Sequence, residues 1–235
     1  MKKRSPFVLG LFTTALFAAA PAEAVPVAPA PNPPASEQPA ASAVTLTLQD
    51  LPAGFQEVPP QIKQQLAARL EPFKKLLGRG NLPLNNFFAF MNLEKFEVVC
   101  GFTTMLPNRP LALATFDTTL QQLQQTAARQ QLISKLRERL QTFQVMELVE
   151  YEALPELSNL ANASTGLTLA AKLRGQPIRI DLAGFRRNTV GAFTAVSYVD
   201  GTKPVAPLKD IFSKLDNRIL QFSPSANSSR SAKEQ

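Results

Sequence analysis

Residues 167–199 constrain the fold more than any other part of this sequence, because their apolar pattern fits antiparallel strands joined by tight turns. A two-residue turn at Arg174-Gly175 places apolar residues opposite apolar residues at successive positions of the hairpin. The predicted pairs are Ala171 with Ile178, Leu169 with Ile180 and Leu167 with Leu182, and Thr168 with Asp181 on the opposite face. Glycine supplies the positive φ that such a turn needs, and apolar cross-strand pairs fix the register. The pattern therefore predicts a β-hairpin.

A second turn follows at Arg187-Asn188, since asparagine tolerates a left-handed backbone. Its predicted pairs are Leu182 with Phe193, Ile180 with Ala195 and Phe185 with Val190. The strand that follows, residues 190–198, carries apolar side chains on both faces. Because both faces of that strand must be buried, we expect helices on both sides of the sheet.

The remaining elements are predicted from periodicity and from helix start and stop residues. Helical spacing covers residues 60–77, 118–141 and 208–219, alternation indicates strands at 85–91, 95–105 and 143–153, and Pro72 is expected to kink or split the first helix. Asp117 or Thr118 is the predicted cap of the second helix. The sequence thus predicts an α+β layered sandwich, in which about six antiparallel strands in the order α-ββ-α-ββββ-α are covered by three helices.

The two ends of the chain have compositions that are unusual for a folded domain. Residues 1–24 carry Lys2, Lys3 and Arg4, then an apolar run, then an Ala-Glu-Ala cleavage pattern, which is typical of a secretory signal peptide. Residues 25–43 are rich in proline and alanine and are interpreted as a disordered linker, and the polar residues 223–235 as a disordered tail. We therefore expect an exported protein with one domain at residues 44–222.

Composition excludes several kinds of chemistry. The chain has no histidine and one cysteine, Cys100, so His-dependent nucleophiles and an internal disulfide are excluded, and the position of Cys100 in an apolar strand predicts a buried, inert thiol. No phosphate-binding loop or metal-ligand spacing occurs, so no cofactor is predicted. Nucleic acid is not an expected partner, because Glu94 and Glu97 lie where a base-stacking surface would need basic residues.

The candidate binding site is a set of polar residues on the second face of the predicted hairpin sheet. Arg179 and Asp181 lie two residues apart, Thr168 and Thr194 lie beside Asp181 in the proposed register, and Arg186 and Arg187 lie at the adjacent turn. These residues could bind a small anionic ligand. The alternative interpretation is a local salt bridge with solvated arginines.

Two other functions remain open from the residues alone. Glu147, Glu150, Glu152 and Glu156 could serve a carboxylate-dependent hydrolase that acts on envelope polymers, with Glu150 and Glu152 on one strand face. The basic helix of residues 61–77, from Gln61 to Leu77, could make weak peripheral contact with a membrane surface. Otherwise we expect a monomer whose partner is an unknown protein or a small anionic ligand.

Two segments resemble a known group of exported proteins. They are LQDLPAGF at residues 48–55 and FRRNTVGAFTAVSYVDG with the following PLKDIFSKLDNRI, where this chain has Asn188 in place of a glycine in the turn. They resemble exported, cyanobacterial-type proteins of unknown function with a PsbP-like or PknH sensor-like extracellular α/β sandwich. The resemblance implies a non-enzymatic accessory or ligand-sensing protein in the periplasm, the thylakoid lumen or outside the cell, and it implies no catalytic residues.

Overall fold

The computed structural model describes the backbone of residues 44–77, 86–142 and 146–222, and the side chains of 44–68, 86–138 and 146–221. The strands are β1 (Gln56–Glu57), β2 (Asn86–Asn92), β3 (Glu97–Met105), β4 (Met146–Ala153), β5 (Ala163–Leu173), β6 (Gln176–Arg187) and β7 (Val190–Val199). The helices are α1 (Pro60–Leu77), α2 (Pro110–Gln124), α3 (Thr126–Thr142) and α4 (Leu208–Phe222), with short 3-10 turns at Leu48–Asp50 and Pro155–Leu157. The predicted signal peptide, linker and tail lie outside the described residues.

All strands of the described residues belong to one antiparallel sheet in the order β1-β2-β3-β7-β6-β5-β4. The predicted fold class is therefore confirmed. The sheet has seven strands rather than about six, because the two-residue β1 adds to the edge at β2. In the described part of the chain, four helices rather than three cover it, because the predicted second helix is two helices.

The register of the first hairpin is confirmed, with Leu169 opposite Ile180 and Thr168 opposite Asp181. The register of the second hairpin is corrected, because Arg187 pairs with Val190 and the turn is Asn188-Thr189. Asn188 has a φ of 54°, so the left-handed residue begins this turn rather than ending it.

This correction moves each partner along β7 by two residues, so every side chain keeps its predicted face. Leu182 lies opposite Ala195, and Phe185 lies opposite Ala192. Thr194 lies opposite Ala183 and not beside Asp181, which pairs with Val196.

The predicted helix of residues 118–141 is also corrected. Helix α2 begins eight residues earlier, at Pro110, where a missing backbone N–H costs nothing. Asp117 and Thr118 therefore lie inside a helix and do not cap it. The helical conformation is interrupted at Gln125, whose extended backbone (φ −77°, ψ 133°) separates α2 from α3.

Helix α1 runs through Pro72, so the predicted split is wrong, while the alternative of a kink stays a prediction. Proline removes one backbone hydrogen bond of the ladder, which weakens a helix but does not oblige it to end. The predicted final helix is confirmed as α4.

The sheet is covered on both faces at β7, as the apolar strand at residues 190–198 required. Helix α4 packs on β6 and β7, where the Phe185 and Phe212 rings lie 4.2 Å apart between centroids. We call this side of the sheet the α4 face. Helices α2 and α3 cover the other face, where Phe116, Leu120 and Ile133 are buried.

Candidate functional site

The α4 face is open at the end of β4, β5 and β6 that lies beside the Arg174-Gly175 turn. Ala170, Arg179 and Asp181 are partly exposed there, while Ala183 and Phe185 further along β6 are buried. We call this area the open strip. It comprises Glu147, Glu150 and Glu152 of β4, Thr168, Ala170 and Lys172 of β5, Arg179 and Asp181 of β6, with Tyr198 and Asp200 at their border.

Arg179 and Asp181 each have a partner within the open strip. The Arg179 Nε donates a hydrogen bond of 2.9 Å to Asp200 Oδ1, and the Tyr198 hydroxyl donates one of 3.0 Å to Asp181 Oδ2. The hydrogen bond from Arg179 lowers the pKa of the Asp200 carboxyl and raises the pKa of the guanidinium. Burial and then the charge of Asp181 raise the pKa of the Tyr198 phenol.

Thr168 occupies the centre of this arrangement. It lies directly opposite Asp181 on β6 and opposite Glu152 on β4, so the three side chains share one row across the sheet. Adjacent strands are about 4.8 Å apart, which puts Glu152 and Asp181 on either side of Thr168 with about 10 Å between their Cα atoms. The residue is 5% exposed, and its hydroxyl has no hydrogen-bond partner within the part of the chain that the structure describes.

Thr194 is also buried with an unpartnered hydroxyl among the described residues, but it lies one row away, beside Ala183. Of the predicted site residues, the structure therefore brings together Arg179, Asp181 and Thr168. Thr194 belongs to the neighbouring buried part of the face.

Arg186 and Arg187 do not join this group, because they lie seven and eight residues along β6 from Arg179, or about 25 Å. Arg186 donates two hydrogen bonds of 2.6 Å to Asp117 of α2. Arg187 donates hydrogen bonds of 2.7 and 2.6 Å to Asp216 of α4. Each arginine thus holds one helix layer against the sheet.

The charge of the open strip is opposite to that of the whole chain. The chain carries a net charge of +7, whereas the strip has five carboxylates, at positions 147, 150, 152, 181 and 200, against Lys172 and Arg179. Its formal net charge is therefore −3. An acidic area of this kind attracts cations and repels anions.

The proposed hydrolase residues lie on or near this strip. Glu150 and Glu152 share the predicted face, and an irregularity between Leu148 and Glu150 places Glu147 on it too. All three are exposed on an edge strand, and Glu156 is exposed in the 3-10 turn. Exposed charged residues are typical of an edge strand, where they prevent pairing with another chain. The exposure of these glutamates fits a solvated strand edge.

Two of the residues that complete the site were not predicted. Asp200 follows β7, and Tyr198 is an apolar-strand residue whose hydroxyl reaches Asp181 from the neighbouring strand. Strand alternation could have found Tyr198 from the sequence. Tyr198 lies two residues from Val196, which pairs with Asp181, so Tyr198 and Asp181 share one face of the sheet.

Three further observations on the described residues concern metal binding, membrane crossing and the cysteine thiol. In the described ranges, no group of three or more His, Cys, Asp or Glu side chains is placed to hold a metal ion. No described helix combines the length and the apolar character needed to cross a membrane. Burial raises the pKa of the Cys100 thiol to about 11.

These features define a class of protein, a layered α+β domain with an open, acidic strip on one sheet face. No protein-family model matches the chain, and no curated protein matches it. Among solved structures, the chain is similar to the solution structure of cyanobacterial PsbP (CyanoP) from Synechocystis sp. PCC 6803, with 13% identity and a TM-score of 0.32. That similarity covers 74% of this chain and 86% of the other. It is a weak likeness of the PsbP-like kind that the two sequence segments suggest, and function is argued below from the residues themselves.

Proposed function

We propose that this chain is an exported, non-enzymatic accessory protein that binds a positively charged ligand or partner segment at the open strip. The observation that carries the proposal is the row Glu152, Thr168 and Asp181, in which a buried hydroxyl without a partner lies between two carboxylates. Buried polar groups are normally hydrogen-bonded, so an unpartnered one beside a surface strip suggests a group that is supplied from outside.

The charge of the strip favours a cation over the small anion that the sequence suggested. Arg179 is the only arginine in the strip, and it already donates to Asp200. An anion would therefore compete with Asp200 and approach a formal charge of −3. The ion pairs of the strip join Arg179 to Asp200 and Lys172 to Glu147. Glu152 and Asp181 belong to neither pair, so they attract a cation without the loss of one.

The chemistry of the row suits a primary ammonium group, which has three N–H donors and no acceptor. Glu152 and Thr168 each offer oxygen acceptors, and Asp181 retains Oδ1 because Tyr198 donates to Oδ2. A lysine side chain or a polyamine would match these acceptors. A lysine-rich segment of a partner protein would add contacts with Glu147 and Glu150 along β4.

Titration of the isotope-labelled protein with spermidine and with a lysine-rich peptide tests this proposal by amide NMR. We expect shifts at residues around Thr168 and Asp181, and an affinity that falls as salt is added, because salt screens exposed charges. Asp181→Asn should lower the affinity by about tenfold or more, since a hydrogen bond to a charged group contributes about 1.5–3 kcal/mol. Asp210→Asn, at an exposed acid in the first turn of α4, is the matched control and should have no effect.

Titration with inorganic phosphate tests the small-anion alternative in the same assay. Phosphate binding that Arg179→Met abolishes would replace the cationic proposal with the anionic one. Absence of shifts with all three probes would reject the open strip as a binding surface. Export is tested independently by the mass of the protein secreted from its host, which should begin at Val25 if residues 1–24 are removed.

A further inference from the structure

A second surface lies at the other end of the sheet, where three loops meet. They are residues 105–111, from the last residue of β3 to the start of α2, residues 158–162 before β5, and the turn 188–189 between β6 and β7. We call these fourteen residues the loop end. Three of their large apolar side chains point to solvent, with Met105 at 55%, Leu111 at 80% and Leu160 at 37% exposure, while Leu106 is buried.

Hydrogen bonds join the three loops into one surface. The backbone N–H of Leu106 donates to the Thr189 carbonyl at 2.7 Å, and that of Asn188 donates to Asn162 Oδ1 at 2.7 Å. Arg187 Nη2 donates to the Leu160 carbonyl at 3.0 Å. The exposed apolar side chains are therefore held in fixed places rather than on independent loops.

The loop end is almost free of charge, and its single charged residue is Arg109. The neighbouring Arg186 and Arg187 are turned inward onto Asp117 and Asp216. A surface with exposed leucine and methionine, no carboxylate and one cation fits the interface of a membrane that contains anionic lipids. A specific protein interface would be expected to offer aromatic anchors, and these loops contain none.

The path of the chain also favours a membrane as the partner of the loop end. Val44, where the described residues begin, accepts a hydrogen bond of 2.9 Å from Thr103, two residues before Met105. Residues 1–43, with three basic residues and an apolar run near their start, therefore join the domain beside the loop end. A membrane that binds residues 1–43 would therefore lie next to the loop end.

We propose that the loop end docks on a lipid surface by inserting Met105, Leu111 and Leu160 at the headgroup boundary. This surface differs from the open strip, and its function does not depend on ligand binding there. It also differs from the basic helix of residues 61–77 that the sequence suggested for membrane contact.

The proposal is tested with a polarity-sensitive fluorophore attached to the full-length chain. Asn108→Cys places the label in the loop end, and Glu94→Cys places it in the β2–β3 turn, at the opposite end of β3 and about 30 Å away. Both variants carry Cys100→Ala, so that only the introduced thiol is labelled. On addition of vesicles of phosphatidylcholine and phosphatidylglycerol, emission at position 108 should shift to shorter wavelength while emission at position 94 stays constant.

Substitutions of exposed side chains supply the matched comparison. Met105→Ser with Leu111→Ser should weaken vesicle binding by about tenfold or more, because each removes a large apolar group from the membrane. Leu93→Ser, at 43% exposure in the β2–β3 turn, should leave it unchanged. Circular dichroism checks that each variant is folded.

Three results would overturn the proposal. The first is no change at position 108, and the second is an equal change at positions 94 and 108, which would indicate adsorption through residues 1–43. The third is a shift at position 108 that depends on protein concentration without vesicles, which would identify a second copy of the chain as the occupant.

Discussion

Glu97 is a carboxyl side chain that is 1% exposed and is held by backbone groups rather than by a cation. Its Oε2 and Oε1 accept hydrogen bonds of 2.6 and 2.8 Å from the backbone N–H groups of Val205 and Ala206. These residues lie in the loop between β7 and α4, more than a hundred positions from Glu97 in sequence. Glu97 therefore fixes the path of the chain into α4.

Glu97→Gln should lower the free energy of unfolding by about 1–3 kcal/mol, because the amide presents one N–H₂ group to a backbone donor and leaves it unsatisfied. Urea unfolding followed by circular dichroism measures the change. Glu94→Gln, at an exposed glutamate of the preceding turn, is the control and should stay within about 0.5 kcal/mol. An equal effect of the two substitutions would contradict a specific role for Glu97.

Cys100 should react slowly in the folded protein, because only the thiolate is nucleophilic and burial raises its pKa to about 11. At pH 8 the folded thiol is almost entirely protonated, while an unfolded thiol ionises near its ordinary pKa of about 8.5. We expect alkylation by iodoacetamide at pH 8 to be about a hundredfold slower in buffer than in urea, as measured by mass spectrometry.

The same shift has a consequence for stability. A folded pKa above the unfolded value favours folding at pH below about 8.5, and this contribution is lost as pH rises toward about 11. Cys100→Ala should lack that part of the alkaline loss of stability. Equal alkylation rates in buffer and in urea would contradict the raised pKa of the Cys100 thiol.

At the scale of secondary structure elements, the β6–β7 hairpin holds both helix layers. Successive strand residues point to opposite faces, so Arg186 reaches Asp117 of α2 and Arg187 reaches Asp216 of α4. Both pairs are bidentate and largely buried, with exposures of 12% and 21% in the first and 21% and 10% in the second. A bidentate pair fixes the relative orientation of the planar guanidinium and carboxylate groups in addition to attracting them.

Asp117→Asn and Asp216→Asn should each lower the free energy of unfolding by about 1–3 kcal/mol, because a partly buried guanidinium loses its charged partner. Glu147→Gln removes the partner of Lys172 in an exposed pair at 3.7 Å and should cost about 0–1 kcal/mol. Urea unfolding of the three variants gives the comparison. If Glu147→Gln lowered the free energy of unfolding as much as the other two substitutions, the ion pairs of Arg186 and Arg187 would contribute no more than an exposed surface pair.

These elements also show where sequence reasoning succeeds and where it ends. The first hairpin was predictable because a glycine turn and apolar rungs agree on one register, and that agreement also placed Arg179, Asp181 and Thr168 together. The second turn was placed one residue early, since Asn188 can occupy either turn position. Asp117 is predicted as a helix cap from its residue type, and its contact with Arg186, 69 residues away in sequence, leaves no local signal. Local patterns do not contain such contacts.

The whole molecule depends on contacts between distant parts of the chain. Strand β3 pairs with β7 about ninety residues later, at the centre of the sheet. Helix α4, the last described element, then covers β6 and β7 with Ile211, Phe212, Leu215 and Ile219, each at most 1% exposed. The predicted domain of residues 44–222 should therefore unfold as a single cooperative unit.

Truncation tests this dependence. Removal of residues 208–235 takes away these four side chains and that of Leu208, which is also buried. Each is worth about 1.5–3 kcal/mol, and their sum is comparable with the whole stability of a typical domain, about 5–15 kcal/mol. We expect that chain to lack cooperative unfolding and dispersed amide NMR signals, whereas removal of residues 223–235 alone should leave the urea midpoint unchanged. A cooperative transition after loss of α4 would show that packing of α2 and α3 on one face is sufficient to fold the sheet. Burial of the second face by α4 would then follow from folding and would not be required for it.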